Sequence, residues 1–295
     1  MAIFYRRLPQ FDYIAPRTLD EALKALNKYK ESSKLLAGGT DLIPHVKKRE
    51  IKAPQYIIDL KNIQGLNKIT YNTEGLHIGP LATINSIAQS QKVQQHYPML
   101  VRTALSMASP QVRNRGTFAG NICSAVPSAD SAPSLLALSA SVKAIGGRKE
   151  RVIPMEQFFL GPRSTTLKPN EMLFEITIPK PLPGSRGVYL KLSPRHSMDL
   201  AVVGVAVVGT CKNGICKDIK IALGAVAPTP IRAPMAESVL QGKAVTPEMI
   251  AEAAKKAVTE CSPIDDHRAS KEYRCDMVYV LTQRALNRIL LSQEG

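Results

Sequence analysis

Two stretches of this 295-residue chain hold residue types that act by binding rather than by making bonds. The first is Leu35-Leu36-Ala37-Gly38-Gly39-Thr40-Asp41-Leu42. Glycines at the end of a short apolar run let backbone N–H groups converge without Cβ obstruction, which makes a concave nest of donors. A diphosphate suits such a nest, because amides pair its oxygens without a side-chain countercharge, and Thr40 adds a hydroxyl donor. Taken alone, Gly-Gly more often marks a plain tight turn.

The second runs from Arg113-Asn114-Arg115-Gly116-Thr117-Phe118-Ala119-Gly120-Asn121-Ile122-Cys123-Ser124 on to Pro127-Ser128-Ala129-Asp130. Small residues, hydroxyls and an amide side chain fall together there. Asp130 suits two roles, accepting from ribose or ribityl hydroxyls and capping a helix ahead of Ser134-Leu135-Leu136. Other nucleotide and catalytic signatures are missing. Without G-x-G-x-x-G a nicotinamide site of the Rossmann kind is unsupported. Neither a phosphate-binding G-x-x-x-x-G-K-[ST] nor a hydrolase G-x-S-x-G occurs. The histidines His45, His77, His96, His196 and His267 are scattered, without metal-ligand spacing. The expectation is therefore no catalytic acid, base or nucleophile and no metal ligand.

Elements must hold these segments in place. Phe11-Asp12-Tyr13-Ile14 reads as a short strand. Thr18-Leu19-Asp20-Glu21 is a capping box that opens a helix with Leu19, Ala22, Leu23 and Leu26 on one face. Strands follow at Lys34–Ala37, running into Gly38-Gly39, and at Tyr56–Leu60. Lys68 to Gly79 reads as a hairpin around Asn72-Thr73-Glu74-Gly75. Thr83 caps a helix through Gln89, and Tyr97 to Ala108 forms the next. Ser109 to Pro133 has no clean period, and a long irregular segment in a compact domain is usually functional. Strands resume at Ser141–Ile145 and Met172–Ile178. Lys180-Pro181-Leu182-Pro183-Gly184 punctuates the chain as a domain boundary. Beyond it come strands at Val188–Leu192, Leu200–Cys211 and Ile215–Leu223, the last two joined by Lys212-Asn213-Gly214. Helices start at Thr246-Pro247-Glu248 and run from Lys271 to Leu291.

The bulk properties are those of a globular chain, with 44% hydrophobic and 21% charged residues. No apolar run approaches the roughly 20 residues that span a bilayer. The start, Met1 to Pro9, is too short and polar for a secretory signal, so a cytoplasmic location is expected. The 39 Lys+Arg against 24 Asp+Glu give a formal charge of +15. The basic residues are spread out, clustered only at Lys47-Lys48-Arg49 and Arg113-Asn114-Arg115, and no aromatic ladder interleaves with them. A solvated basic surface suiting acidic partner subunits is favoured over nucleic-acid binding. Five cysteines, Cys123, Cys211, Cys216, Cys261 and Cys275, include no C-x-x-C pair, which favours free thiols in a reducing compartment. Cys211 and Cys216 flank the Lys-Asn-Gly turn and would face each other across a hairpin; free thiols are favoured there over a disulfide or a metal site.

Together these segments make a resemblance specific. Ala37-Gly38-Gly39-Thr40-Asp41-Leu42, then Arg113-Asn114-x-Gly116-Thr117-x-x-Gly120-Asn121, then Asp130, resemble the two FAD loops of the molybdenum hydroxylase flavoprotein subunits. These are the medium subunits of the xanthine dehydrogenase and carbon monoxide dehydrogenase kind. The likeness runs over nearly the whole chain. It includes Phe11-Asp12-Tyr13-Ile14-Ala15-Pro16 with Thr18-Leu19-Asp20-Glu21-Ala22, Asn170-Glu171-Met172-Leu173-Phe174-Glu175-Ile176-Thr177-Ile178-Pro179, Lys191 with Arg195 and Asp199-Leu200-Ala201-Val202-Val203, and Ser270 with Tyr273-Arg274 and Arg284-Ala285.

The resemblance implies an α+β chain. A two-lobed α/β FAD-binding domain of the PCMH type spans 1–180, with lobes at about 1–60 and 61–180. A small antiparallel-sheet domain with helices, like the CO dehydrogenase flavoprotein C-terminal domain, spans 181–295. It implies that Leu35, Leu36, Ala37, Gly38, Gly39, Thr40, Asp41 and Leu42 hold the FAD diphosphate and neighbouring groups. Thr117, Phe118, Ala119, Gly120 and Asn121 form the second loop, Asp130 binds cofactor hydroxyls, Leu173 packs near the adenine or flavin, and Lys191 lies near the flavin ring. Without the resemblance, Leu173 reads as strand core and Lys191 as an exposed strand lysine. The implied partners are a large molybdenum–pterin subunit and a small 2Fe–2S subunit, in a dimer of heterotrimers, with an acceptor such as NAD. The alternatives are a stand-alone FAD oxidase, for which roughly 110 residues after the boundary make a small substrate cap, and the flavoprotein subunit of an aromatic CoA-ester reductase, whose cysteine-bearing 4Fe–4S insert is not seen here.

Overall fold

The computed structural model describes residues 7–147, 149–195 and 198–291; the first six residues, Arg148, His196, Ser197 and the last four lie outside them. The first domain opens with β1 (Asp12–Ile14), α1 (Leu19–Tyr29), β2 (Ser33–Leu36), α2 (Leu42–Lys48) and β3 (Tyr56–Asp59). The three strands form a parallel sheet in the order β1-β3-β2. Helix α1 starts where Thr18 Oγ1 accepts from Glu21 N–H at 3.2 Å. The Glu21 carboxylate reaches back to Arg17 N–H at 2.8 Å, one residue before the Thr18 N–H a capping box would use. Ala22 and Leu26 bury against Ile58, Leu60 and Ile63.

The second lobe follows. It contains β4 (Ile69–Tyr71), β5 (Gly75–Ile78), α3 (Ile84–Gln89), α4 (Gln91–His96), α5 (Pro98–Ser106), α6 (Pro110–Arg113), α7 (Phe118–Cys123), α8 (Ser131–Ala137), β6 (Ser141–Gly146), β7 (Lys149–Pro154), the short pair β8 (Phe159–Gly161) and β9 (Ser164–Thr165), and β10 (Met172–Pro179). Its main sheet runs β4-β5-β10-β6-β7, antiparallel throughout. The stretch expected to be irregular, Ser109 to Pro133, contains three short helices instead. Ser109 Oγ and Thr117 Oγ1 cap two of them, accepting from Val112 N–H and Gly120 N–H. Helices of four and six residues complete too few turns to print a 3.6-residue period, which is why the sequence pattern missed α6 and α7, whereas α8 follows Asp130 as a cap reading of that residue expects.

The second domain is the sheet β11 (Arg186–Leu192), β12 (Val203–Lys212), β13 (Ile215–Gly224) and β14 (Ile231–Arg232), followed by α9 (Pro234–Leu240), α10 (Pro247–Thr259) and α11 (Lys271–Leu286), which continues as a π-helical turn to Leu291. Its two faces differ in composition. Val188, Val203, Val205, Val207, Ile221 and Leu223 pack beneath the helices, the mainly β-branched filling expected of a strand core. The opposite face carries Tyr189, Ala206, Val208 and Ala222, which belong to the core of the first domain. Small residues let that face come close: a Cβ on Gly224 would lie 2.6 Å from Pro133 of α8, and one on Gly187 3.2 Å from Met99 of α5. The sheet is thus buried on both sides, and one apolar core runs across the domain boundary.

Candidate functional site

The two candidate loops are brought together. β2 ends at Leu36, and the chain turns through Gly38 and Gly39, the latter at φ +77°, into α2. A Cβ on Gly38 would lie 2.0 Å from the Arg115 carbonyl oxygen, so only glycine allows the first loop to touch the second. Gly116 sits against Thr40, its ideal Cβ position 3.2 Å from Thr40 Oγ1. Ser124 Oγ donates to Asp41 Oδ2 at 2.7 Å and closes the contact from the other end of α7.

The donors left over are those a diphosphate needs. Among the described residues the N–H groups of Gly38, Gly39, Thr40 and Asp41 have no intramolecular acceptor, and the Thr40 hydroxyl has no partner. Four free amides and a hydroxyl where the backbone reverses at a glycine form an anion-binding concavity that asks for no lysine or arginine. The residues present therefore fit the diphosphate of a dinucleotide cofactor. Leu35 packs into the first lobe's core, Leu36 is buried, and Leu42 begins α2.

The second loop is braced from below. Thr117 caps α7, and Phe118 and Ala119 are buried in the core. Gly120 faces open space apart from Thr117 Oγ1. Asn121 Oδ1 accepts from both Ser131 N–H and Ser131 Oγ, at 3.2 and 2.6 Å, so the amide is oriented with its NH2 group pointing elsewhere. Leu173 lies at a β-bulge in β10, buried in the same core as Phe118 and Ile122; its position is that of strand core.

Asp130 and Lys191, 61 residues apart, meet in a buried ion pair at 2.8 Å. Asp130 stands at the start of α8 but accepts no capping hydrogen bond. Its other oxygen accepts from Tyr189 OH at 2.9 Å. Lys191 spends its remaining protons on Asp199 O at 2.9 Å and Ser106 O at 3.4 Å. The reading of Lys191 as an exposed strand lysine is overturned, since its side chain keeps only 8% of its exposure. Burial pushes the Asp130 carboxyl above its usual range, and Lys191 and Tyr189 pull it back. Gly204, opposite Lys191, leaves room for the phenol, whose oxygen lies 3.0 Å from where a Cβ would stand. Tyr189 was not singled out from the sequence, although it lies two residues before Lys191 and so shares its strand face.

The sequence also missed a second set of contacts, at the edge between the lobes. Arg163 donates from Nη1 to the Glu50 carbonyl at 3.0 Å and from Nη2 to the Glu50 carboxylate at 3.3 Å. His45 and Lys48 share that carboxylate. The Arg163 N–H reaches Ala125 O at 2.7 Å, just beyond α7. Arg163 and Ala125 both take positive φ, +60° and +45°. Helix α2, which follows the first loop, is therefore tied to the second lobe at its start by Asp41 and beyond its end by Glu50. Among the described residues no group of three or more metal-ligating side chains occurs.

Comparison with known proteins follows the same division. Residues 9–181 match the FAD binding domain in molybdopterin dehydrogenase, and residues 188–289 match the CO dehydrogenase flavoprotein C-terminal domain. The chain is 37% identical to the carbon monoxide dehydrogenase medium chain of Hydrogenophaga pseudoflava, over 95% of its own length and 96% of the relative's. It is 33% identical to the glyceraldehyde dehydrogenase medium chain of Sulfolobus acidocaldarius, covering 95% and 99% of the two. It is 30% identical to a xanthine dehydrogenase FAD-binding subunit of Escherichia coli O157:H7, covering 96% and 97%. Among solved structures it superposes on the H. pseudoflava carbon monoxide dehydrogenase with a TM-score of 0.92, at 37% identity, covering 95% and 97%. On the quinoline 2-oxidoreductase of Pseudomonas putida 86 the TM-score is 0.90 at 27% identity, covering 97% and 98%.

Proposed function

The chain belongs to the FAD-binding medium subunits of the molybdenum hydroxylases, and from that premise we propose that it is the electron-transferring subunit of a heterotrimeric oxidoreductase. In this reading it takes electrons from the 2Fe–2S clusters of a small partner subunit and passes them to an external acceptor such as NAD, while a large molybdenum–pterin subunit oxidises the substrate. The complex is a dimer of such heterotrimers and works in the cytoplasm. Among the described residues no helix is long and apolar enough to cross a membrane. The domains divide at residue 180.

FAD, when bound, supplies a redox group that takes electrons singly and gives them up in pairs. The chain binds and orients it. The amides of Gly38, Gly39, Thr40 and Asp41 and the Thr40 hydroxyl hold the diphosphate, with Leu35, Leu36, Ala37 and Leu42 shaping the loop. Thr117, Phe118, Ala119, Gly120 and Asn121 form the facing wall, and Asn121 Nδ2 is its free donor. Asp130, Leu173 and Lys191 complete the site, Asp130 through the lone pairs that Tyr189 and Lys191 leave. No side chain is asked to act as acid, base or nucleophile.

The observation that carries this reading is the row of unpaired amides at Gly38–Asp41, pressed against Arg115 and Gly116. The test is an absorption spectrum of the purified chain and of the co-expressed complex, with the released cofactor identified. A flavin spectrum and release of FAD support it, and a complex that releases no FAD overturns it. Substrate turnover with oxygen by the chain alone would favour the stand-alone oxidase instead.

A further inference from the structure

Cys211 and Cys216 take no part in cofactor binding. They are register partners across the β12–β13 hairpin, and both are free thiols. The hairpin turns at Asn213 and Gly214, with φ of +53° and +73°, next to the pair Lys212 and Ile215. The Cys216 backbone faces away from its partner: its N–H donates to Lys243 O at 2.9 Å, and its carbonyl accepts from Gly242 N–H at 2.8 Å. Cys211 and Cys216 are therefore a non-hydrogen-bonded pair. In such pairs the Cα atoms stand about 4.5 Å apart, and side chains on the shared face make their closest approach. A disulfide spans Cα separations of roughly 4.4–6.8 Å. Both side chains enter the core beneath α9, α10 and α11, Cys216 fully buried and Cys211 half-buried. Cys216 Sγ is directed at Asp218 O, 3.7 Å away along its own strand, and burial pushes that thiol up to about 11. Cys211 is thus the sulfur that a reagent from solvent reaches first.

We propose that Cys211 and Cys216 form a redox modification site, closing to a cross-strand disulfide when the chain meets a small-molecule disulfide such as glutathione disulfide. The Cys211 thiolate attacks one sulfur of the reagent and releases one glutathione, leaving a mixed disulfide. The Cys216 sulfur then displaces the second glutathione. The two protein thiols give up two electrons and two protons, and the reagent leaves as two thiols. The register shifts just before the pair, between Thr210 and Cys211, and from the usual spacing of a non-hydrogen-bonded pair rotation of the side chains suffices to close the bond. The bond fixes the hairpin tip beside the segment that pairs with its outer side, where Val245 N–H donates to Gly214 O at 2.9 Å.

The test treats the full chain with excess glutathione disulfide, then counts thiols after denaturation and maps the linked peptides by mass spectrometry. The expected result is three titratable thiols instead of five, a mass loss of two hydrogens, and a Cys211–Cys216 cross-link that dithiothreitol reverses. Amide exchange at Asn213, Gly214 and Val245 slows in the oxidised form. Cys211→Ser abolishes the cross-link. A variant with Cys123, Cys261 and Cys275 all replaced by Ser retains it, which keeps the test valid should the single variant fold poorly. Five thiols still titrating after treatment, stable glutathione adducts without a cross-link, or a cross-link mapping to Cys261 and Cys275 would each overturn the proposal.

Discussion

Two seams run past the candidate loops, and they are built from opposite materials. The seam between the domains is dry: a sheet face of Tyr189, Ala206, Val208 and Ala222 is shared with the first domain's core, and the Asp130–Lys191 pair is sunk in it. The seam between the lobes is wet: Glu50 and Arg163 meet with 37% and 42% of their side chains exposed. Their acids respond in opposite directions. Burial pushes Asp130 up, whereas the hydrogen bond from His45 pulls Glu50 down. The first seam is built to stay shut. The second holds α2 and its loop with solvent-exposed contacts, each of which contributes little on its own.

The largest break in this contrast is expected at the dry seam. Lys191→Met leaves Asp130 buried without its countercharge and should cost about 3–5 kcal/mol in urea unfolding. Adding Asp130→Asn should restore much of the loss; if the double variant is as unstable as the single, the two groups are not acting as a pair. Gly38→Ala comes next. Its methyl would meet the Arg115 carbonyl, and parting the loops should cost roughly 1–3 kcal/mol. FAD affinity, measured by fluorescence titration, should fall at least about tenfold, the equivalent of roughly 1.4 kcal/mol. An unchanged affinity would place the cofactor elsewhere.

Arg163→Gln should cost less than about 1 kcal/mol, because solvent and salt screen an exposed pair. The deficit should shrink further in high salt, where the Lys191→Met deficit should persist. The smallest effect is a pH dependence at Glu50. Its folded carboxyl lies below the ordinary 4.5, so its contribution is complete above about pH 4.5 and lost as pH falls through the lower folded value. The stability difference between Glu50→Gln and the parent chain should therefore vanish on acidification. A difference that grows toward low pH would mean that the shift has the other sign.

Much of this was legible in the sequence where a signal is local. Thr83, Thr246-Pro247 and Asn213-Gly214 each mark their element because a cap or a turn depends on residues three or fewer apart. The two loops stood out as candidate binding segments by their serial glycines and hydroxyls, and the structure brings them together where Gly38 meets Arg115 and Gly116. What was hidden is what depends on distance in space. Nothing around Lys191 announces that Asp130 will bury it, and nothing around Arg163 announces Glu50, 113 residues earlier. Helix α2 was missed because Pro44 lies within its first turn and its few residues show little periodicity. The strand β7 was missed because its pattern is mostly exposed.

The shared sheet face also sets a timetable. Helices α5 and α8 leave the ribosome before β11, β12 and β13 exist to cover them. At about 5–20 residues per second, making the stretch from Arg186 to Gly224 takes on the order of 2–8 s. For that interval the nascent first domain carries a bare apolar flank, and a chaperone that shields it would spare the cell an aggregation-prone intermediate. A chain cut short near residue 181 would carry that flank permanently.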